Sequence, residues 1–377
     1  MKITKIETFK FWILWCNWLF VKVSTDEGLY GWGEGSLQGA TEAVESVIHD
    51  LEPYLIGQDP SGIERHWQVI YKAWQWRRGP VLSTALGALD IALWDLEGKR
   101  LGVPVYRLLG GPFHPRLRAY ASHWLEGIKT PEEAFAGAKE AVRRGLSGFK
   151  WRPFNSESLR ENETREIAHG VDLMAAARQG AGPETEIFVE CAEQFSPRTA
   201  ARAINALAPY QPAWIEEPIP FENPEALVNL QREVGVPIAC GERLVSRWDV
   251  LELLQKGGVK ILQPDVMHCG GITEVRKIAV LADTFFVPIS PHNPGGPICT
   301  LASIHLAASI PNFYVIEEME KEREIRDLIS TVPVIFTNGS FELPTGPGLG
   351  TDLNLDLLAD YPYRPQPISG KVDPLWY

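Results

Sequence analysis

Cysteine is scarce. The 377 residues include five cysteines, Cys16, Cys191, Cys240, Cys269 and Cys299, with no CxxC pair and an odd count. This argues against a disulfide framework and fits a reduced cytoplasm, the expected location. No apolar run reaches the roughly 20 residues of a membrane span, so no membrane partner is expected. Basic residues are outnumbered, 36 Lys and Arg against 48 Asp and Glu, for a net charge of −12. Nucleic acid needs clustered cations and is set aside as a partner. The same deficit rules out steering of an anion by the overall field, so any anion site must be local. Low-complexity segments and tandem repeats outside the βα units described below are absent too.

Lys2, Lys5 and Lys10 precede the apolar run Phe11 to Val21, a pattern shared with signal peptides. Asn17 interrupts the run and no small-residue cleavage site follows. Thr25-Asp26-Glu27-Gly28 reads instead as a turn between two strands of a hairpin or meander filling residues 1–36. Residues 40–110 read as helical. Val81 to Asp95 is apolar nearly all round and predicts a buried helix.

From residue 117 short β-rich runs alternate with helical stretches, the signature of a parallel sheet. Eight such runs close naturally into a barrel. The expected fold is therefore α/β: a (β/α)-barrel, a modified TIM barrel of (β/α)7β type, over residues 117–330. An α+β capping domain spans residues 1–116 and is completed by the proline-rich segment 331–377. The length suits one barrel plus a smaller domain. Gly346 to Gly350 neither follows a strand nor opens a helix, so it predicts no phosphate cradle.

What ends each run is informative. Lys150, Glu190, Glu216, Glu242, Asp265, His292 and Glu317 lie at or just past the ends of successive apolar runs, and from Glu190 onward they recur every 23 to 27 residues. One βα unit has about that length, and strand ends converge on one mouth where barrel active sites lie. One such Glu alone is usually a helix-start or loop residue. Six groups in register are not. Converging carboxylates repel unless a cation neutralises them. Oxygen ligands suit Mg²⁺ better than zinc, since no His or Cys accompanies Glu190, Glu216 and Glu242 at ligand spacing. Asp265 and His292, on adjacent predicted strands, form a carboxylate–imidazole pair of the kind that orients a base.

Trp214-Ile-Glu-Glu-Pro218, Gly241-Glu-Arg243, Ile261-Leu-Gln-Pro-Asp265, His268-Cys-Gly-Gly-Ile-Thr273 and Pro291-His292 resemble the enolase superfamily, mandelate racemase subgroup. So do Tyr54 to Pro60 and Ala88 to Asp95. Within it the pattern is similar to galactonate dehydratase-like sugar-acid dehydratases. The resemblance covers nearly the whole chain. It implies Mg²⁺ on Glu190, Glu216 and Glu242, with His292, paired to Asp265, as the general base. Glu317 would bond the substrate carboxylate or enolate opposite Lys150, and the capping domain would offer Trp15, Asn17, Trp76, Arg77 and Arg78 to the substrate. The implied reaction removes a proton α to a carboxylate and expels the β-hydroxyl, giving a 2-keto-3-deoxy acid. A small sugar acid is the expected partner, and a symmetric homo-oligomer the implied assembly.

Two departures matter. The first metal ligand, usually Asp, is Glu190. Two residues on, where these dehydratases carry an acid His, stands Ala192. His292 acting twice, His123 at the end of the first barrel strand, or Glu193 with a raised pKa could supply the proton. Arg152 stands where racemases of the subgroup place a second Lys; it stays protonated, so it reads as a ligand for substrate carboxylate or hydroxyls. Besides a dehydratase, the residues are compatible with a one-base isomerase, epimerase or lactone cycloisomerase, or with a non-catalytic ligand-binding homologue. A retaining glycosidase would leave the third Glu and the His–Asp pair unexplained.

Overall fold

A computed structural model describes residues 1–366; the end of the proposed capping segment, 367–377, lies outside the described residues. The chain opens with an antiparallel meander, β1 (Ile3–Ile13), β2 (Cys16–Thr25) and β3 (Tyr30–Glu34). Ile13 pairs with Cys16, so Leu14 and Trp15 form a two-residue turn. Four helices follow: α1 (Thr41–Leu55), α2 (Ile63–Ala73), α3 (Pro80–Leu101) and α4 (Val105–Leu108). In α1, Val44, Ile48, Leu51 and Leu55 are buried at three- and four-residue spacing, which makes one apolar stripe. α3 is buried on all sides, as its composition predicts. It starts on Pro80 and stops at the left-handed Gly102. The meander packs closely on it: a Cβ at Gly31 or Gly33 would run into the carbonyls of Ala92 and Ala88, which explains the glycines of Gly-Trp-Gly-Glu.

The barrel then runs β4 (Arg116–Ala121), α5 (Pro131–Arg143), β5 (Gly148–Trp151), α6 (Ser156–Ala181), β6 (Glu186–Glu190), α7 (Pro197–Leu207), β7 (Trp214–Glu216), α8 (Pro224–Glu233), β8 (Ile238–Cys240), α9 (Arg247–Lys256), β9 (Ile261–Leu262), α10 (Gly271–Thr284), α11 (Pro297–Ser309), β10 (Ile316–Glu318) and α12 (Arg323–Ile329). Local chemistry starts the helices. The side chains of Thr130, Asn155, Ser196 and Asn223 accept the orphan amides of α5, α6, α7 and α8. α6 is two helices joined at a kink, where Asn162 leaves helical geometry.

β4 to β9 pair in parallel in sequence order, and β10 pairs with β4 to close the ring. The seventh stave is irregular, joined by the single bridges Leu262–Ile289, Asp265–His292 and Ile289–Phe313. The last segment divides. A hairpin of β11 (Phe336–Thr337) and β12 (Ser340–Glu342) adds antiparallel to the start of β4, at the barrel. Two contacts run from beyond it to the first 116 residues: the Leu349 amide donates to Asp95 (2.7 Å), and the Trp12 amide donates to the Tyr361 carbonyl (3.0 Å). Among the described residues no helix is long and apolar enough to cross a membrane.

Candidate active site

Side chains alternate along a strand, so every second residue of a stave shares the barrel interior. Three layers result. At the lower end Arg118 pairs with Glu186 (2.6 Å), which also accepts the Tyr314 hydroxyl. Above it lies an aromatic floor of Tyr120, Phe188 and Trp214, with the rings of Phe188 and Trp214 4.0 Å apart. Two residues further on, Glu190 and Glu216 rise from that floor on adjacent strands and pair in register.

The ring of strand ends brings the expected groups together. One oxygen from each of Glu190, Glu216 and Glu242 lies within 4.8 Å of the others. That is close to the roughly 4 Å between opposite ligands of an ion bonded at ~2.1 Å, and an all-oxygen donor set suits a hard divalent cation. Glu190 fits despite being longer than the expected Asp; its other role is to accept the Ala192 amide (2.5 Å). Lys150, fully buried, reaches Glu216 (2.5 Å), Glu317 (2.9 Å) and Glu190 (3.6 Å). Trp214 and Gln263 donate to the second Glu216 oxygen at 3.0 and 2.7 Å. The Asn293 amide donates to Glu317 (2.9 Å).

His292 Nδ1 bonds Asp265 at 2.8 Å, while its Nε2 faces Glu242 at 3.5 Å and Glu317 at 4.0 Å. Asp265 is anchored in turn by the Met267 and His268 amides (2.7 and 3.2 Å).

Burial and crowding set the protonation states. Burial, with Glu190 and Glu317 adding to it, pushes Glu216 up to about 7 even against Lys150. Burial also raises Glu242. Burial opposes charge on His292, but Glu242, the Asp265 bond and Glu317 outweigh it and push the ring up to about 10. Burial would likewise raise Glu317, yet Lys150 and His292 hold it far below the usual carboxylate range. An excess of negative charge thus concentrates where the three carboxylates meet, the arrangement a cation would neutralise.

His123, half-buried on a left-handed backbone (φ 53°), bonds Ser122 through Nδ1 (3.0 Å). Burial, then Lys150, lowers its pKa, with Glu317 opposing, so the ring stands within the field of the site. Arg152 is exposed beyond Lys150 and acts electrostatically on His123 and Cys191. Glu193 is raised by burial but is engaged by Arg243 (3.3 Å) and the Phe221 amide (3.1 Å).

The capping-domain candidates are placed differently. Both ends of the Asn17 amide are taken by the Arg364 backbone (2.8 and 3.1 Å). Trp15 donates to Glu322, on the loop after β10 (2.7 Å). Trp76 is 79% exposed, and Arg77 folds back on the Lys72 carbonyl at 3.3 Å. Arg78 alone of that loop reaches the barrel, pairing with Asp249 at 3.5 Å. Asn17 is thus a strut between the meander and residue 364. Trp76 and Arg77 are not brought to the carboxylates.

Sequence reasoning missed several groups that hold the site: Arg243, Gln263, Asn293, and the buried Glu34 and Asp90 of the first domain. Arg243 and Gln263 fall inside motifs quoted above, but their partners lie on other strands.

Residues 16–110 match the mandelate racemase / muconate lactonizing enzyme N-terminal domain, and residues 133–357 the enolase C-terminal domain-like family. A D-galactonate dehydratase of Pectobacterium atrosepticum is 38% identical over 366 residues, 96% of this chain and 94% of its own. One of Ralstonia pickettii is 37% identical across 100% of this chain and 97% of its own. Among solved structures, an enolase of Agrobacterium radiobacter bound to Na and L-malate superposes with a TM-score of 0.88 at 30% identity, covering 96% of this chain and 95% of that one. The chain belongs to the mandelate racemase / muconate lactonizing enzyme family of the enolase superfamily.

Proposed function

We propose that the chain is a dehydratase of a sugar acid, specifically a Mg²⁺-dependent enzyme acting on an aldonate-type substrate. The observation that carries this reading is the Asp265–His292 pair, whose free Nε2 faces the cluster of Glu190, Glu216 and Glu242. The names of the Pectobacterium and Ralstonia relatives support it. So does the hydroxy acid bound together with a cation in the Agrobacterium protein.

A proton α to a carboxylate is very weakly acidic, and its removal places negative charge on the carboxylate oxygens. Mg²⁺ held by Glu190, Glu216 and Glu242 supplies positive charge that favours this ionisation. Lys150 presents a second, permanent cation, and Glu317 orients it. His292 takes the proton through Nε2, while Asp265 fixes the ring by holding Nδ1. With a cation on Glu242, less negative charge would face the ring, and the rise in the His292 pKa would be smaller.

Departure of the β-hydroxyl needs an acid, which Ala192 cannot provide. His123 is the candidate we favour: its Nδ1 is occupied by Ser122 and its Nε2 makes no hydrogen bond among the described residues. Glu193 is held by Arg243. Arg152 would receive a substrate carboxylate or hydroxyl.

Ala192 itself favours a second reading, a one-base isomerase, epimerase or lactone cycloisomerase on an acid sugar. One experiment separates the two. The protein is incubated with a library of acid sugars and Mg²⁺, and products are treated with semicarbazide. A 2-keto product from an aldonate supports the dehydratase. An epimer or ring-opened isomer with no semicarbazide-reactive product overturns it.

A further inference from the structure

Just past each of Glu190, Glu216 and Glu242, the loop leaving the strand end sends one charged residue to a common point. Glu193 lies three residues past Glu190, Glu217 one past Glu216, and Arg243 one past Glu242. The Arg243 guanidinium contacts Glu193 through Nε (3.3 Å), Glu242 through Nη1 (2.6 Å), and Glu217. Backbone bonds lace the same loops: the Glu193 amide to the Glu217 carbonyl (2.7 Å), and the Glu217 amide to the Ala239 carbonyl (3.0 Å).

The backbone at this point is strained. Ala192, Glu193 and Glu217 all have left-handed geometry, with φ of 47°, 61° and 40°. Each is a costly conformation for a side-chain-bearing residue, and such strain persists only where surrounding contacts over-determine it. Arg243 is about one-third exposed, and ion pairs near the surface add little to stability. A planar guanidinium can bridge several carboxylates at fixed angles, whereas an ammonium acts as a point charge.

We infer that Arg243 is a positioning residue, the hub that fixes Glu190, Glu216 and Glu242 as one preformed cation cradle, with Glu193 and Glu217 as its spokes. The inference rests on the metal reading of the three glutamates given above. It concerns what orients them, and it assigns Glu193 to the cradle instead of to proton transfer. Groups that orient metal ligands from behind typically change affinity by about 10- to 100-fold when removed.

The test is calorimetric titration of Mg²⁺ into the full chain after stripping with a chelator, for wild type, Arg243→Lys and Glu193→Gln. Thermal unfolding before metal addition verifies that each variant is folded. Arg243→Lys is expected to weaken Mg²⁺ binding by about 10-fold or more. Glu193→Gln, which removes one peripheral spoke, should weaken it by a smaller factor in the same direction. A wild-type dissociation constant in folded Arg243→Lys would overturn the hub, because charge alone would then suffice. An unchanged constant in Glu193→Gln would remove Glu193 from it. If the wild-type chain itself takes up no Mg²⁺, the metal reading and the inference resting on it fall together.

Discussion

The Asp90 carboxylate crosses the domain boundary to accept the Thr273 amide at 3.0 Å. Thr273 sits in the first turn of α10, where amides lack partners within the helix. Glu34 does the same for α11, accepting the amides of Gly296 (2.6 Å) and Cys299 (2.9 Å). Both helices begin beside the staves that carry Asp265 and His292. The capping domain is thus fastened to the barrel by two buried acids that fill helix N-termini.

Asp90 makes that fastening sensitive to pH. Its burial outweighs the Thr273 bonds and pushes its pKa up to about 7. The unfolded chain titrates near 3.8, so between these values the folded state holds a proton that the unfolded state has lost. Stability from this group is therefore greatest below pH 4 and declines as pH rises to about 7. The full difference, about three units, corresponds to roughly 4 kcal/mol. Asp90→Asn cannot titrate. Denaturant unfolding of wild type and variant from pH 4 to 8 should show the wild type losing stability relative to the variant as pH rises. Parallel curves would mean that Asp90 keeps an ordinary pKa.

His292→Asn tests the base. The amide can still donate one hydrogen bond to Asp265 but cannot take a proton at neutral pH. Loss of a positioned general base costs about 10²- to 10⁴-fold. Exchange of the substrate α-proton with deuterated solvent, followed by NMR, should fall by that factor, with Mg²⁺ affinity within a few-fold of wild type. Exchange at the wild-type rate would require another base.

His123→Ala separates acid from base. His292, Asp265 and the three glutamates are untouched, so α-proton exchange should continue while formation of the 2-keto product falls by about 10²-fold or more. An unchanged product rate removes His123 as the acid and returns attention to His292 acting twice.

The barrel was legible because one βα unit sets the spacing of its strand ends. Glu190, Glu216, Glu242, Asp265, His292 and Glu317 advertise themselves as polar residues closing apolar runs, and a closed ring must gather them. The meander and the buried α3 were legible for a similar reason, each following one local periodicity. Contacts that carry no period were not. Asp90 and Thr273 are 183 residues apart, and Asn17 and Arg364 are 347 apart. Asn17 on an apolar strand looks like a polar group meant for substrate, and only the fold reveals the backbone that it satisfies. Arg243 stands in a quoted motif, but its partners Glu193 and Glu217 lie on other loops that no local pattern connects to it. The β11–β12 hairpin also escaped, since its pairing with β4 depends on where the barrel leaves an edge open.

Arg152→Ala addresses substrate grip. A charge-assisted hydrogen bond contributes about 1.5–3 kcal/mol, or roughly 10- to 150-fold. If Arg152 holds a part of the substrate remote from the reacting carbon, the loss appears mainly in KM. A fall confined to kcat would place it in the reaction itself, beside His123.

Chelation and Glu216→Gln together test the metal site. Glu216 is the most constrained of the three carboxylates, held by Lys150, Trp214 and Gln263 and fully buried. A ligand that binds only the folded state stabilises it by about 2.7 kcal/mol at 100 times its dissociation constant. Mg²⁺ should therefore raise the unfolding midpoint of the wild type, and a chelator should reverse the shift and abolish turnover. Gln keeps the size of Glu216 but offers one acceptor oxygen to three donors, and it removes the charge that draws the ion. The midpoint without metal should fall, because buried donors lose their acceptor, and the Mg²⁺-dependent shift measured from that lower midpoint should disappear in Glu216→Gln. A Mg²⁺ shift of full size in the variant would mean that the cation stabilises the chain from somewhere else.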